Sequence, residues 1–214
     1  MGCLAGSASA VTWWNSSSYS TIEYASLASG LTVTTAQTPI SLTTNPNNPS
    51  YANASAINNA GISPIHANTS AASDGTIDNT VTHSDANASS GTYVLIVKNN
   101  NSSDTTFSFV WHWMVSAIGN ADPTDSVFGD ANVFLGGNVV NASHEASIFD
   151  TGSDSLSGDD SYSFVIPAGV SKSFSVRSDA SGSADLNNVP EPSTVALLVG
   201  IGVSGSVLLR RRRK

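Results

Sequence analysis

Four histidines, His66, His83, His112 and His144, and sixteen carboxylates are the side chains that could move a proton or hold a cation. The densest group of acids is Asp150, Asp154, Asp159 and Asp160, within DTGSDSLSGDD, and Asp122, Asp125 and Asp130 form a second group. Clustered carboxylates with Ser, Thr and backbone oxygens can supply the six to eight oxygens that calcium takes at ~2.4 Å. Neither segment has the spacing of an EF-hand or a nonapeptide calcium repeat, so both read as solvated acidic loops, with no metal and no cofactor expected. HExxH and GxSxG are both missing, and no two histidines stand at i and i+2 on one strand, which argues against a zinc or serine hydrolase. Trp13, Trp14, Trp111 and Trp113 could stack on sugar rings if exposed. Their alternation with polar residues favours a place in the core.

Any such site needs elements to hold it, and composition limits what those are. The 214 residues carry 8 Lys and Arg against 16 Asp and Glu, for a formal charge of -8. Five of the eight bases sit in residues 210–214, leaving Lys98, Lys172 and Arg177 to face 15 acids between residues 11 and 188. An acidic body with a basic tip excludes a general nucleic-acid binder, whose broad basic face would attract phosphates. Charged residues are only 11% of the chain, and Ser, Asn, Thr, Ala and Gly take their place, which suits an exported protein. Val, Leu, Ile and Phe make up about 21% of residues 11–188, near the ~20% below which chains fail to fold, so a lean core is expected.

The body reads as strands with a period of two. Thr92–Lys98 (TYVLIVK) is a continuous apolar run, the pattern of a strand buried on both faces. From Phe107 to Val115 the odd positions are Phe, Phe, Trp, Trp and Val, while Ser108, His112 and Ser116 lie on the other face, where His112 meets solvent. Further strands are expected at 132–140, 145–150, 161–166 and 172–177, and Pro167-Ala168-Gly169 should close a hairpin between the last two. A helix of one or two turns is possible over 21–27. Residues 43–91 hold only five Val, Leu, Ile or Phe in 49, and read as a polar insertion with no core of its own, with room for a short strand near 77–81. The fold class predicted is mainly β: a two-layer antiparallel β-sandwich, jelly-roll-like, over residues 11–188.

Both ends carry address signals. Residues 1–10 close on Ala8-Ser9-Ala10, the small-x-small pattern that signal peptidase accepts, and read as the remnant of a secretion signal whose basic and apolar parts would be encoded upstream. Cleavage after Ala10 would also remove Cys3 and leave no thiol. At the other end, Val189–Thr194 (VPEPST) precedes an apolar segment, 195–209, and a basic cluster, Arg210, Arg211, Arg212, Arg213 and Lys214. Fifteen residues make a helix of about 22 Å, shorter than the ~30 Å hydrocarbon core, so the segment is a marginal transmembrane anchor. The basic cluster stays on the cytoplasmic side and leaves the body outside. Gly200, Gly202 and Gly205 spell GxGxxG, but inside an apolar tail with no preceding strand they favour close helix packing rather than a nucleotide site.

A Pro-Glu-Pro motif, a short apolar helix and an Arg-rich end, in that order at the terminus, resemble the PEP-CTERM sorting signal of bacterial envelope proteins. The resemblance covers residues 189–214. It implies an exosortase, an integral-membrane processing enzyme, as partner, with Pro190, Glu191 and Pro192 as its recognition motif. It also implies transient anchoring in the inner membrane of a Gram-negative bacterium, followed by passage to the cell surface or an exopolysaccharide matrix. Short secreted proteins with this tail are similar in having a Trp-rich first strand and a final F-x-V-x-A-G-x-S-x-x-F-x-V segment. Here these are Val11-Thr12-Trp13-Trp14 and SFVIPAGVSKSFSV. The expectation is therefore a non-enzymatic surface or matrix protein. The alternatives are a carbohydrate-binding module using its Trp residues and a small secreted hydrolase with convergent acids and a histidine.

Overall fold

The computed structural model describes residues 11–24, 26–44, 52–60, 66–77, 83–123 and 125–185. Small polar and β-branched residues dominate these segments, and almost all of each segment takes the extended conformation. Twelve strands result: β1 (Thr12–Glu23), β2 (Leu31–Gln37), β3 (Ser41–Thr44), β4 (Ala52–Ala60), β5 (His66–Ile77), β6 (His83–Ser89), β7 (Tyr93–Asn99), β8 (Thr105–Asn120), β9 (Ser126–Gly137), β10 (Ala142–Phe149), β11 (Gly152–Ile166) and β12 (Ser171–Asp185). No helix occurs among the described residues, and Thr21–Glu23, where a helical turn was possible, completes β1. Residues 1–10, expected to be the remnant of a secretion signal, and the tail from 189 lie outside the described residues.

All pairings are antiparallel. One sheet runs β11-β8-β1-β5-β4 and the other β10-β9-β12-β6-β3, with β7 continuing the line of β6 along β12 and carrying β2 outside it. The break between β6 and β7 falls at Ser90-Gly91-Thr92. There Ser90 and Ser178 exchange bonds through the Ser90 amide and hydroxyl, and Gly91 takes a φ of 68°. The sheets lie face to face in matching order: β11 over β10, β8 over β9, β1 over β12, β5 over β6 and β4 over β3. This is a sandwich-like antiparallel β fold.

Lean composition is accommodated by making the sandwich thick at one end and thin along its middle. At the thick end Phe107, Phe109 and Phe174 pack with ring centroids 5.1–5.8 Å apart, joined by Tyr24, Tyr162 and Phe164. Along the middle, β1 turns Ser16, Ser18 and Ser20 inward, all fully buried, opposite a strand that offers Ala180, Gly182 and Ala184. Small side chains let the two backbones approach, and for Ser18 the facing sheet supplies an acceptor: its Oγ donates to the Asp179 carbonyl at 2.8 Å. Ser16 Oγ is buried without a hydrogen-bond partner, a local cost of this close approach. Trp14 fills the one wide slot in this zone, between Gly75 of β5 and Gly182 of β12.

Three expectations are corrected by the topology. The Pro167-Ala168-Gly169 turn forms, with the Val170 amide donating to Pro167, but β11 and β12 belong to different sheets, so it is a crossing between layers and not a hairpin. Tyr93, Leu95 and Val97 are buried while Ile96 and Lys98 are exposed, because among the described residues no third layer covers the outer side of β7. Residues 43–91, read as a polar insertion, supply β4, β5 and β6, and β5 pairs with β1 along its whole length. Apolar content missed them because these strands are built from Ala, Ser, Asn and Thr.

Candidate functional site

The acids that looked like one loop cluster are separated by the strand period. Asp150 does lie in a turn, at a positive φ of 64°, but Asp154, Asp159 and Asp160 are on β11 and Asp130 is on β9, so none of these four is a loop residue. Asp122 and Asp125 close the β8–β9 turn against the first residue of β1: Thr12 Oγ1 donates to Asp125 Oδ2 at 2.6 Å and accepts from the Asp122 amide at 3.1 Å. Asp154 accepts from the Ser147 amide at 3.2 Å. Asp159 and Asp160, one residue apart, point to opposite faces. Among the described residues, no three His, Cys, Asp or Glu side chains are grouped to hold a metal ion.

On the outer face, Asp159 meets His112, whose Nδ1 lies 2.6 Å from Asp159 Oδ1 and whose Nε2 lies 3.2 Å from Glu23 Oε2. His112 is on the polar face as alternation predicts, although it is bracketed by carboxylates rather than only solvated. His83 is bracketed in the same way, by Asp85 at 3.2 Å and by Asp185. Its pKa is raised, mainly by the bond to Asp185 against some desolvation. On the inner side of the β10–β11 edge, Trp113 Nε1 donates to Asp160 Oδ2 at 2.9 Å, and His144 lies flat on Trp113 with centroids 3.5 Å apart and Nε2 3.5 Å from the same carboxylate oxygen.

The tryptophans do not make an exposed platform. Trp14 and Trp111 are buried to 1% and 0% exposure, Trp113 is half-buried beneath His144, and Trp13, on the opposite face of β1 from Trp14, stands apart from them. Trp111 Nε1 donates to Ser20 Oγ at 2.6 Å inside the core, which explains a serine at that position.

A polar groove that sequence reasoning missed crosses the outer face of the second sheet, over β3, β6, β12 and β9. Asn132 donates to Asp130 Oδ2, and Arg177 Nε lies 2.8 Å from Asp179 Oδ2 while its guanidinium rides 4.4 Å above the Phe134 ring. Burial pushes the Asp130 carboxyl up, with Glu145 adding to the shift and Asn132 opposing it. The odd residues of β12, Arg177, Asp179 and Ser181, were a usable signal, since the even ones from Phe174 to Ala184 are all small or apolar. What the sequence lacked was the pairing of β12 with β6 and β9.

Beyond Asp185, residues 188–213 match the family model of the PEP-CTERM protein-sorting motif. The tail is a PEP-CTERM sorting signal. Such a motif directs export and sorting to the envelope or surface through recognition by an exosortase. The PEP-CTERM match and the β body do not overlap: one is a linear address, the other the part delivered. No curated protein matches the chain.

Proposed function

We propose that this is a non-enzymatic protein of the cell surface or exopolysaccharide matrix of a Gram-negative bacterium, a jelly-roll-like β body that an exosortase releases from a transient inner-membrane anchor formed by residues 195–209. The sorting motif at 188–213 is the observation that carries this reading. In this reading the fixed φ of Pro190 and Pro192 favours an extended peptide for the enzyme to bind, with Glu191 as the charge that a cationic group of the enzyme pairs with. Among the histidines whose side chains are described, His112 and His83 pair with carboxylates through both ring nitrogens and His144 stacks on Trp113, a surface ion-pairing role that fits this reading. Intact-mass measurement of surface protein from a host with a matching exosortase should show loss of the Arg210–Lys214 end. Glu191→Ala should leave full-length precursor in the inner membrane. Surface protein that still ends at Lys214 would show a plain anchor instead.

A further inference from the structure

The edge of a sheet is a row of unpaired N–H and C=O groups, and native proteins blunt it with short strands, Lys, Pro or bulges. The edge strands β3, β2, β10 and β4 are short, with 4, 7, 8 and 9 residues. β11 is not. It runs for 15 residues along the rim of the first sheet, matches β8 residue for residue from Gly152 to Ile166 without a bulge, and contains neither Lys nor Pro. Among the described residues no strand pairs with its outer side. The facing edge is partly closed by β11 itself, since Asp154 accepts from the Ser147 amide of β10 at 3.2 Å. The inward row of β11 is left open as well: Leu156 is 47% exposed, whereas Val115, its inward neighbour on β8, is 0% exposed.

The order of side chains along β11 selects what can pair with it. Directly opposite residues of an antiparallel pair share a face, so a two-fold axis relating two copies of β11 must pass beside one residue. An axis at Asp159 or Asp160 sets that acid against its own copy, and an axis at Ser157 sets Asp154 against Asp160. The axis at Gly158 gives the longest overlap with no acid opposite an acid, and pairs residues 152–164 of the two copies. It places Ser153 opposite Ser163, Asp154 opposite Tyr162, Ser155 opposite Ser161, Leu156 opposite Asp160 and Ser157 opposite Asp159. On the outer face the Ser157 hydroxyl can then donate to the Asp159 carboxylate, and on the inner face the Tyr162 hydroxyl can donate to Asp154. Leu156 falls diagonally against the Tyr162 ring, which gives its exposed side chain an apolar neighbour.

We propose that β11 pairs with β11 of a second copy of this chain about a two-fold axis at Gly158, joining the two five-stranded sheets into one continuous sheet. The occupant is a second copy because the match is self-complementary: the strand that brings the acids also brings the hydroxyls that meet them. An unrelated extended peptide would satisfy the backbone alone. The proposal goes beyond the sorting reading and does not depend on it.

The test uses the full chain in detergent micelles, with Cys3→Ser so that introduced thiols are the only ones. Opposite Cα atoms of an antiparallel pair are ~4.5–5.5 Å apart, within disulfide reach, whereas residues six apart on one strand are separated by ~20 Å. Ser155→Cys combined with Ser161→Cys should therefore give a disulfide-linked dimer on mild oxidation, seen by non-reducing electrophoresis. Each single variant should cross-link at least tenfold less. By sedimentation equilibrium the unsubstituted chain should be dimeric at micromolar concentration. Ser155→Asp with Ser161→Asp, which sets acid against acid at two places, should weaken that dimer at least tenfold. Ser41→Asp with Ser171→Asp adds the same charge at exposed positions away from β11 and should leave the dimer unchanged. Thermal melts verify that every variant folds. A chain that stays monomeric at millimolar concentration, or single and double cysteine variants that cross-link equally, would overturn the proposal. So would a dimer undiminished by the Ser155 and Ser161 acids, which would assign association to the apolar tail.

Discussion

Trp14 and Gly182 are in contact across the two sheets so closely that a Cβ on Gly182 would stand 2.0 Å from the indole Cδ1 and Nε1. Gly75 flanks the other end of the ring at the same distance, so the indole has no direction in which to yield. Gly182→Ala should therefore destabilise by ~1–3 kcal/mol or more, the range for overpacking a closed core. Gly152→Ala, where an added Cβ meets nothing within 4 Å, is the control and should be near neutral. Urea midpoints of the two variants compare them directly, and equal midpoints would mean the slot is looser than this geometry.

Tyr24 is buried edge-on against Phe107, with ring centroids 5.3 Å apart, and its hydroxyl accepts and donates nothing. Tyr24→Phe keeps the ring contact and removes an unpaired polar atom, so it should leave stability unchanged or raise it by up to ~1 kcal/mol. Burial, and secondarily Tyr93, push the Tyr24 pKa up from 10.0 to about 12. A raised pKa gives stability that is present below the unfolded value of 10.0 and lost as pH rises from there towards 12. The wild-type melting temperature should fall over that window more steeply than that of the Tyr24→Phe variant.

The raised pKa of His83 gives a second pH window. Its stabilisation is complete below the ordinary imidazole value of 6.5 and fades as pH rises through the higher folded value. Melting temperatures taken from slightly acid to slightly alkaline pH should decline across that range in the wild type and flatten in His83→Gln. The side chain is 46% exposed, so the effect should be small and weakened by salt. A slope unchanged in His83→Gln would assign the pH dependence to other groups.

Ser20→Ala should leave the Trp111 indole N–H buried without its acceptor, at a cost of ~1–3 kcal/mol. Trp111→Phe removes donor and volume together. In the double variant the serine change should cost less than it does alone, since its partner is gone, and the difference measures their coupling. Strict additivity in denaturant titrations would show that the 2.6 Å contact contributes nothing.

The elements legible in the sequence were those whose burial is signalled by apolar side chains. The Phe107–Val115 alternation forecast the inner face of β8, and five further segments located β7 and β9 to β12, although 132–140 misses the first half of β9 and runs past its end at Gly137. β4, β5 and β6 were illegible because a strand of Ala, Ser, Asn and Thr has the same composition as a polar loop. For the same reason the inward serines of β1 carry no mark of burial.

The address at the C-terminus is written in consecutive residues, so the order of Pro190, Glu191, Pro192, the apolar run and the Arg cluster was enough to identify the sorting motif. Nothing linear joins Asn87 to Ser181 and Asp130, or Trp14 to Gly75 and Gly182; pairing between distant strands and stacking of the two sheets bring them together. The Ser18 hydroxyl finds its acceptor on the opposite backbone and the Ser20 hydroxyl its donor on Trp111, and a carboxylate becomes part of a groove only where neighbouring strands hold it in register. Those conditions depend on partners from elsewhere in the chain, so only the folded sandwich could decide them.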